Sequence, residues 1–142
     1  MIYTIDTNVF VDALRQLPEL DRLKAFLGWA LPSTVLSSVV AAELTAGARN
    51  EKARRLLDDA LLAPFERRGR ILAPSAAAWR RGGGVLARAG TGGVSASRQN
   101  DVLLAVQARE NGWTVVTRDS DLGALRGLVA GLQVAPPFPE RP

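Results

Sequence analysis

MIYTIDTNVF, residues 1–10, begins the pattern that decides the fold class. Residues 2–5 are a short run typical of a β-strand, and Asp6, Thr7 and Asn8 are residues that favour turns or the caps of helices. Apolar residues at helical spacing over 9–14 then predict a helix. The stretch therefore predicts a strand, a tight turn and a helix, in that order.

The same alternation of strands and helices continues along the chain. A run rich in Gly and Ser, residues 90–98, predicts a flexible loop. Alternating strands and helices predict a single-domain, three-layer α/β/α sandwich with a mostly parallel sheet, in which ligands bind at the carboxyl ends of the strands. The further strands are predicted at 34–37, 70–72, 113–117 and 132–135, and the further helices at 20–29, 38–48, 50–63, 75–89, 100–111 and 122–129.

Length and composition indicate one compact domain. With 142 residues, 47% of them hydrophobic, the chain can bury a core of its own. We expect this domain to span residues 1–135 and the Pro-rich tail, residues 136–142, to be frayed. No stretch approaches about 20 uncharged apolar residues, and no basic segment precedes an apolar run at the N-terminus. We therefore expect a cytoplasmic protein with no membrane association.

The chain has no cysteine and no histidine, which excludes disulfides, thiolate metal sites and imidazole chemistry. Its formal net charge is +4, and arginine supplies most of the positive charge. Arginine clusters favour a phosphate-rich partner. The alternative is the codon bias of a GC-rich genome, so charge alone does not decide the function. The clusters are Arg54 with Arg55, Arg67 and Arg68 with Arg70, and Arg80 with Arg81.

Two acids, Asp6 and Glu43, lie at positions that suggest a functional role for a carboxylate. Asp6 ends the first strand, where it can cap the next helix or face a ligand site. Glu43 shares a helical face with Val39 and Val40, and that face is expected to be buried. A buried carboxylate is costly without a partner, so Glu43 is predicted to bind a cation, with a structural salt bridge as the alternative.

Three further acids, Asp101, Asp119 and Asp121, are predicted to lie at a helix start or just after a strand. Asp101 is predicted to open the helix over 100–111, either as its N-cap or as a charge directed at the strand ends. Asp119 and Asp121 occupy the turn after the strand over 113–117, and one of the two is expected to be only a turn or cap residue. The remaining acids are predicted to lie on solvated faces; they are Glu19, Asp21, Glu51, Asp58, Asp59, Glu66 and Glu110.

Taken together, these acids predict a metal site at the carboxyl edge of the sheet. Carboxylates gathered this closely require a cation, and oxygen ligands favour Mg²⁺ or Mn²⁺, with Ca²⁺ as a non-catalytic substitute. Such an ion activates a water and neutralises charge on a phosphodiester during hydrolysis. The sequence thus predicts a metal-dependent nuclease that needs no histidine.

The four acidic stretches resemble the PIN-domain nucleases and, among them, the VapC-type toxins of toxin–antitoxin pairs. The resemblance implies a Mg²⁺-dependent endoribonuclease acting on RNA. It also implies a homodimer, inhibited by a cognate antitoxin that inserts a segment into or beside the active-site groove. The matching motifs are IDTNV (5–9), LSSVVAAEL (36–44) followed by Gly47 and Ala48, NDVLLA (100–105) and VTRDSDL (116–122).

The resemblance also implies roles for individual residues. Asp6, Asp101 and Asp119 would bind the metal, with Asp121 as a possible further ligand, and Glu43 would bind the metal or orient the attacking water. We also predict that Arg118, beside the acidic turn, contacts RNA. The residues that would position the carboxylates are Thr7, Asn8 and Thr117.

Two other functions remain open at this level. A phosphatase of the haloacid-dehalogenase type would use Asp6 as its nucleophile, but it normally has a second acid two residues on, where this chain has Asn8. A regulatory module that binds RNA or protein without cleaving is the other alternative. The presence of all four motif acids argues against it.

Overall fold

A computed structural model describes residues 1–89, 96–118 and 120–142, without the side chains of residues 96, 97, 120 and 121. Its five strands are β1 (Ile2–Ile5), β2 (Thr34–Ser37), β3 (Ile71–Leu72), β4 (Trp113–Val116) and β5 (Gln133–Ala135). Its α-helices are α1 (Thr7–Arg15), α2 (Leu17–Ala30), α3 (Ser38–Gly47), α4 (Glu51–Leu56), α5 (Ala63–Glu66), α6 (Ala76–Ala89), α7 (Ala96–Asn111) and α8 (Ser120–Ala124). Short 3₁₀ turns span Leu31–Ser33 and Leu125–Gly127, and a π-helical segment spans Leu57–Leu62.

The strands form one sheet in the order β3-β2-β1-β4-β5, and all four pairings are parallel. The register pairs Ile5 with Val116, so β1 and β4 end side by side at the centre of the sheet. The predicted parallel α/β architecture is confirmed. The chain segments that leave β1 and β4 therefore start next to each other.

Both faces of the central strands are covered by helices. Every residue of β4 is buried, and so are Tyr3, Thr4 and Ile5 of β1. Successive side chains of a strand point to opposite faces, so burial of consecutive residues means that both faces are packed. Layers of helices therefore enclose the sheet, as expected for a single α/β/α domain.

Several predicted boundaries change in the structure. Helix α7 begins at Ala96, so the predicted loop over 90–98 was wrong for its last three residues, and residues 90–95 lie outside the described part of the chain. Asp101 therefore lies inside α7, so of its two predicted roles the N-cap alternative was wrong. The predicted helix over 50–63 is interrupted by the π-helical segment, which continues into α5.

The C-terminal tail includes one residue that packs against the domain. The ring of Phe138 lies 5.6 Å from that of Phe26, and the Arg22 guanidinium lies 5.3 Å from the centre of the Phe138 ring. A domain boundary at residue 135 stays a prediction. Among the helices that the structure describes, none is both long enough and apolar enough to cross a membrane.

Candidate active site

Asp6 lies between β1 and α1 and performs two tasks at once. Its Oδ1 atom accepts a hydrogen bond of 2.8 Å from the backbone N–H of Thr7, which caps α1. Its Oδ2 atom accepts a hydrogen bond of 2.8 Å from the hydroxyl of Thr117, the residue after β4. The side chain is only 5% exposed. The cap and the site interpretations are therefore compatible, because the same carboxylate is fixed at the carboxyl edge of the sheet.

Asn8 connects the first motif to the fourth. Its Nδ2 atom donates to Oγ1 of Thr117 at 3.2 Å and to Oδ2 of Asp6 at 3.4 Å. Its Oδ1 atom accepts a hydrogen bond of 3.2 Å from the backbone N–H of Arg118. These bonds hold Asp6 and the start of the turn after β4 in one arrangement. A positioning role for Asn8 and Thr117 in catalysis stays a prediction.

Glu43 lies on α3, half-buried, with its carboxylate directed toward α1. Its Oε1 atom accepts a hydrogen bond of 3.0 Å from the hydroxyl of Thr7. Burial raises the pKa of Glu43 above its usual value, and the charge of Asp6 raises it further, while hydrogen bonds from Thr7 and Asn100 partly offset both effects. Within the described residues no Lys or Arg forms a salt bridge with Glu43, so the salt-bridge alternative is not supported.

Because its pKa is raised in the folded state, Glu43 is predicted to lower the stability of the metal-free protein by an amount that depends on pH. A carboxyl group whose pKa is higher in the folded state destabilises the fold above its unfolded pKa, and this cost disappears at lower pH, where both states are protonated. Glu43→Gln should therefore raise the melting temperature in EDTA at pH 7.5, with a smaller gain at pH 4. Scanning calorimetry at both pH values measures this difference.

The matched control for this experiment is Glu51→Gln. Glu51 is 78% exposed and only forms an i,i+4 pair with Arg55, so its replacement should give no gain at pH 7.5. A Glu43→Gln protein that melts at or below the wild-type temperature at pH 7.5 would contradict the prediction that ionised Glu43 destabilises the metal-free fold.

Asp101 completes the set of predicted acids that the structure describes. Asp6, Glu43 and Asp101 line one open pocket, although they come from the end of β1, from α3 and from α7. Thr7 and Asn8 line the same pocket. Asp119 lies outside the described residues, and so does the side chain of Asp121, whose backbone belongs to α8.

Asp12 is an acid of this pocket that the sequence analysis missed. It lies one helical turn after Asn8 on α1, and this i,i+4 spacing is the signal that would have found it. Its Oδ2 atom forms an ion pair of 2.7 Å with Nε of Arg118, and Nη2 of Arg118 pairs with Glu19. Glu19 and Glu110, with 18% and 17% of their side chains exposed, were wrongly predicted to lie on solvated faces.

Gln107 is a second residue that the sequence analysis missed, and it connects elements that carry residues of the site. It is 1% exposed, accepts a hydrogen bond from the hydroxyl of Ser37, and donates one of 2.9 Å to the carbonyl of Leu72. Ser37 also caps α3 by accepting a hydrogen bond from the N–H of Val39. Gln107 thus ties α7 to the ends of β2 and β3 and to the start of α3, the helix that carries Glu43.

The donor set of the pocket fits a hard divalent cation in its chemistry. Asp6, Glu43 and Asp101 offer only oxygen atoms, which Mg²⁺ and Mn²⁺ prefer. A cation would also relieve the repulsion that Asp6 exerts on Glu43. The side chains that the structure describes do not, however, include a group of three or more acids arranged to hold a metal ion. The metal is therefore part of the proposal below.

Fold and site together define an α/β protein with an acidic pocket at the carboxyl edge of a parallel sheet. The sequence model of the PIN domain matches residues 3–128, so this chain belongs to the PIN domain family. The resemblance inferred from the motifs is thereby confirmed. PIN domains are nucleases, which supports hydrolysis of nucleic acid as the class of reaction.

Solved structures show the same fold over nearly the whole chain. FitAcB from Neisseria gonorrhoeae is 25% identical, with a TM-score of 0.67 and coverage of 94% of this chain and 96% of that one. FitAB bound to the IR36 DNA fragment is 25% identical, with a TM-score of 0.71 and 99% coverage of both chains. VapBC2 from Rickettsia felis, bound to a DNA fragment from the promoter, is 24% identical, with a TM-score of 0.70 and coverage of 96% and 98%. No curated protein matches the sequence.

Proposed function

We propose that this protein is a metal-dependent endoribonuclease, the toxin of a toxin–antitoxin pair, that hydrolyses RNA phosphodiester bonds. The observation that carries the proposal is the convergence of Asp6, Glu43 and Asp101 on one pocket from three separate elements. Such convergence is expected where carboxylates share a function, because like charges repel and are otherwise kept apart. Membership of the PIN family supports the same conclusion.

In the proposed mechanism the residues of the chain hold and orient the reacting groups. Asp6 and Asp101 would bind Mg²⁺ or Mn²⁺ together with Asp119, with Asp121 as a possible further ligand. The ion, when bound, supplies an activated water and neutralises charge on the phosphate. Glu43 would bind the metal or orient the attacking water, and the hydroxyl of Thr7 holds its carboxylate toward α1.

Three residues keep the carboxylates in place for this chemistry. Thr7 holds Asp6 through its N–H and Glu43 through its hydroxyl. Asn8 and Thr117 hold the other oxygen of Asp6. Carboxylates whose orientation is fixed in advance lose less entropy when the metal and substrate bind.

Arg118 is proposed to contact a phosphate of the RNA beside the pocket. Its ion pairs with Asp12 and Glu19 hold the guanidinium near the acids and balance part of their charge. Arg118→Ala should weaken RNA binding several-fold and make it less salt-dependent, because a phosphate contact is lost and Asp12 is left unpaired. Unchanged affinity and salt dependence in a fluorescence anisotropy titration would contradict this role.

The proposed antitoxin would bind an apolar groove that adjoins the acidic pocket. This groove shares Val11, Arg15 and Glu43 with the pocket and is otherwise mainly aliphatic. Leu14 and Leu56, in the groove, are 38% and 49% exposed. The similar FitAB and VapBC structures support a protein partner for this chain. Copurification with the product of the adjacent reading frame tests this partner, and failure of the coexpressed proteins to associate would contradict it.

We also propose a homodimer, formed through the patch around Trp79. Trp79 is 53% exposed and lies with Val39, Ala42, Pro74 and Leu103 along one open groove. Val39 and Leu103 are buried, so the apolar surface that this groove exposes to water is mainly the ring of Trp79, and exposed aromatic rings are enriched at interfaces. Sedimentation analysis of the wild type and of Trp79→Ser tests the proposal, and a monomeric wild type would contradict it.

The decisive experiment compares three substrates in EDTA and in Mg²⁺. We expect endonucleolytic cleavage of a mixed-sequence RNA that requires Mg²⁺ or Mn²⁺, with weaker cleavage of the same sequence as DNA. The phosphatase alternative instead predicts hydrolysis of p-nitrophenyl phosphate. A module that only binds would retain the RNA without cleaving it in either buffer. Either of the last two results would contradict the proposal.

A further inference from the structure

Three arginines surround a second pocket that shares no residue with the acidic one. Arg81 and Arg88 lie on α6, and Arg109 lies in the last turn of α7. Val85, Val106, Leu128 and Val129 form the apolar part of the lining. This site, called here the arginine pocket, has no role in the reaction proposed above.

Contacts with the backbone hold two of these arginines in place. Nη2 of Arg88 donates to the carbonyl of Leu128 at 3.1 Å, and Nε of Arg109 donates to the carbonyl of Ala130 at 2.7 Å. Gly131 has a φ of +83°, and a Cβ atom at this position would clash with the Arg109 guanidinium. A guanidinium has five N–H donors, so one such hydrogen bond orients it and leaves most of its donors for a ligand.

The charges around the arginine pocket do not balance. Glu110 pairs with Arg81 at 3.3 Å and also accepts a hydrogen bond of 2.9 Å from the hydroxyl of Ser75. In the part of the chain that the structure describes, Arg88 and Arg109 form no salt bridge. Among the described residues, these three positive charges and the one negative charge of Glu110 leave a net charge of +2 at this pocket.

We propose that the arginine pocket is an exosite that binds backbone phosphates of RNA extending beyond the acidic pocket. Paired guanidinium donors match phosphate oxygens, and an oriented, uncompensated cluster binds anions better than scattered arginines do. Arg109 lies eight residues beyond Asp101 on α7, which corresponds to about 12 Å along the helix axis. The phosphates bound there are therefore distinct from the one that is cleaved, and the exosite rests on the proposed ribonuclease function.

Its test measures RNA binding in EDTA, so that the result does not depend on cleavage. Arg81→Gln with Arg88→Gln removes two charges and leaves Arg109, which packs against Gly131. We expect this variant to bind a labelled 60-nucleotide RNA about 10-fold more weakly, with a salt slope lower by about 1.4, as expected for two lost phosphate contacts.

The matched control is Arg67→Gln with Arg68→Gln, which removes the same charge from exposed positions outside the pocket. We expect it to bind the long RNA like the wild type. An equal loss of affinity in the control, or no loss in the Arg81 and Arg88 variant, would overturn the exosite. Both variants should melt at the wild-type temperature, because all four side chains are exposed.

Competition distinguishes phosphate from an acidic protein segment as the occupant. Inorganic polyphosphate should displace the long RNA from the wild type more effectively than polyglutamate of equal charge, and stronger displacement by polyglutamate would contradict the proposal. A different result would contradict the proposed ribonuclease function, namely the absence of RNA cleavage in Mg²⁺. The exosite is contradicted only if replacing the arginines of the pocket leaves the affinity for the 60-nucleotide RNA unchanged.

Discussion

Asp6→Asn is expected to lower the rate of RNA cleavage on the order of 10³-fold or more and to abolish any growth arrest caused by expression. The reason is the loss of one negative charge from a proposed metal ligand that lines the acidic pocket. The fold should survive, because Asn caps helices about as well as Asp and can still accept from the N–H of Thr7. The hydroxyl of Thr117 can donate or accept, so it can also keep its contact with residue 6.

The control for charge is Asp21→Asn, an exposed acid on α2 outside the pocket. Single-turnover cleavage rates in Mg²⁺ and melting temperatures should be measured for both variants. We expect Asp21→Asn to cleave at the wild-type rate and both proteins to melt within a few degrees of the wild type. If Asp6→Asn retains wild-type cleavage, or if growth arrest persists unchanged, Asp6 is only a helix cap and the proposed chemistry is wrong.

Gln107→Ala should give a large loss of stability, about 2–4 kcal/mol in the free energy of unfolding. The substitution removes one buried and one partly buried hydrogen bond and leaves the hydroxyl of Ser37 and the carbonyl of Leu72 without this partner. It also leaves a cavity at a position that is 1% exposed. For a chain of this size the loss corresponds to a decrease of about 10 °C in melting temperature.

Gln99→Ala is the matched control, since Gln99 lies on the same helix but is exposed. Urea denaturation of both variants gives the comparison, and we expect Gln99→Ala to lie within about 0.5 kcal/mol of the wild type. A Gln107→Ala protein as stable as the control would show that the link between α7 and the ends of β2 and β3 contributes little. The same outcome would remove the argument that Gln107 positions the helices of Glu43 and Asp101.

Local sequence was sufficient to predict the strands, because each apolar run is short, β-branched and followed by turn residues. It was less reliable for helix starts. The run before Asp101 is rich in Gly and Ser and predicted a loop, yet α7 already begins at Ala96. The predicted start at residue 100 was therefore four residues too late, because Gly and Ser lower helix propensity without excluding a helix.

Some residues of the acidic pocket could likewise be predicted from the sequence, and others could not. Asp6 could be inferred from the sequence because a strand end in a parallel sheet fixes its position, and Glu43 because its helical face is apolar. Asp12 pairs with Arg118, and Gln107 forms hydrogen bonds with Ser37 and Leu72. In each case the two residues are far apart in the chain. Such contacts depend on the order of the strands and on how helices cross, and no local pattern specifies either.

Periodicity and turn chemistry act over a few residues, and they were enough to predict the parallel α/β class, the family motifs and the position of Asp6 at a strand end. The tertiary structure decided which acids share a pocket and which of them are paired. It also decided that Arg81, Arg88 and Arg109 meet around one cavity, although two helices carry them. Those outcomes depend on packing between distant segments, where burial and charge are set by neighbours that the linear chain does not show.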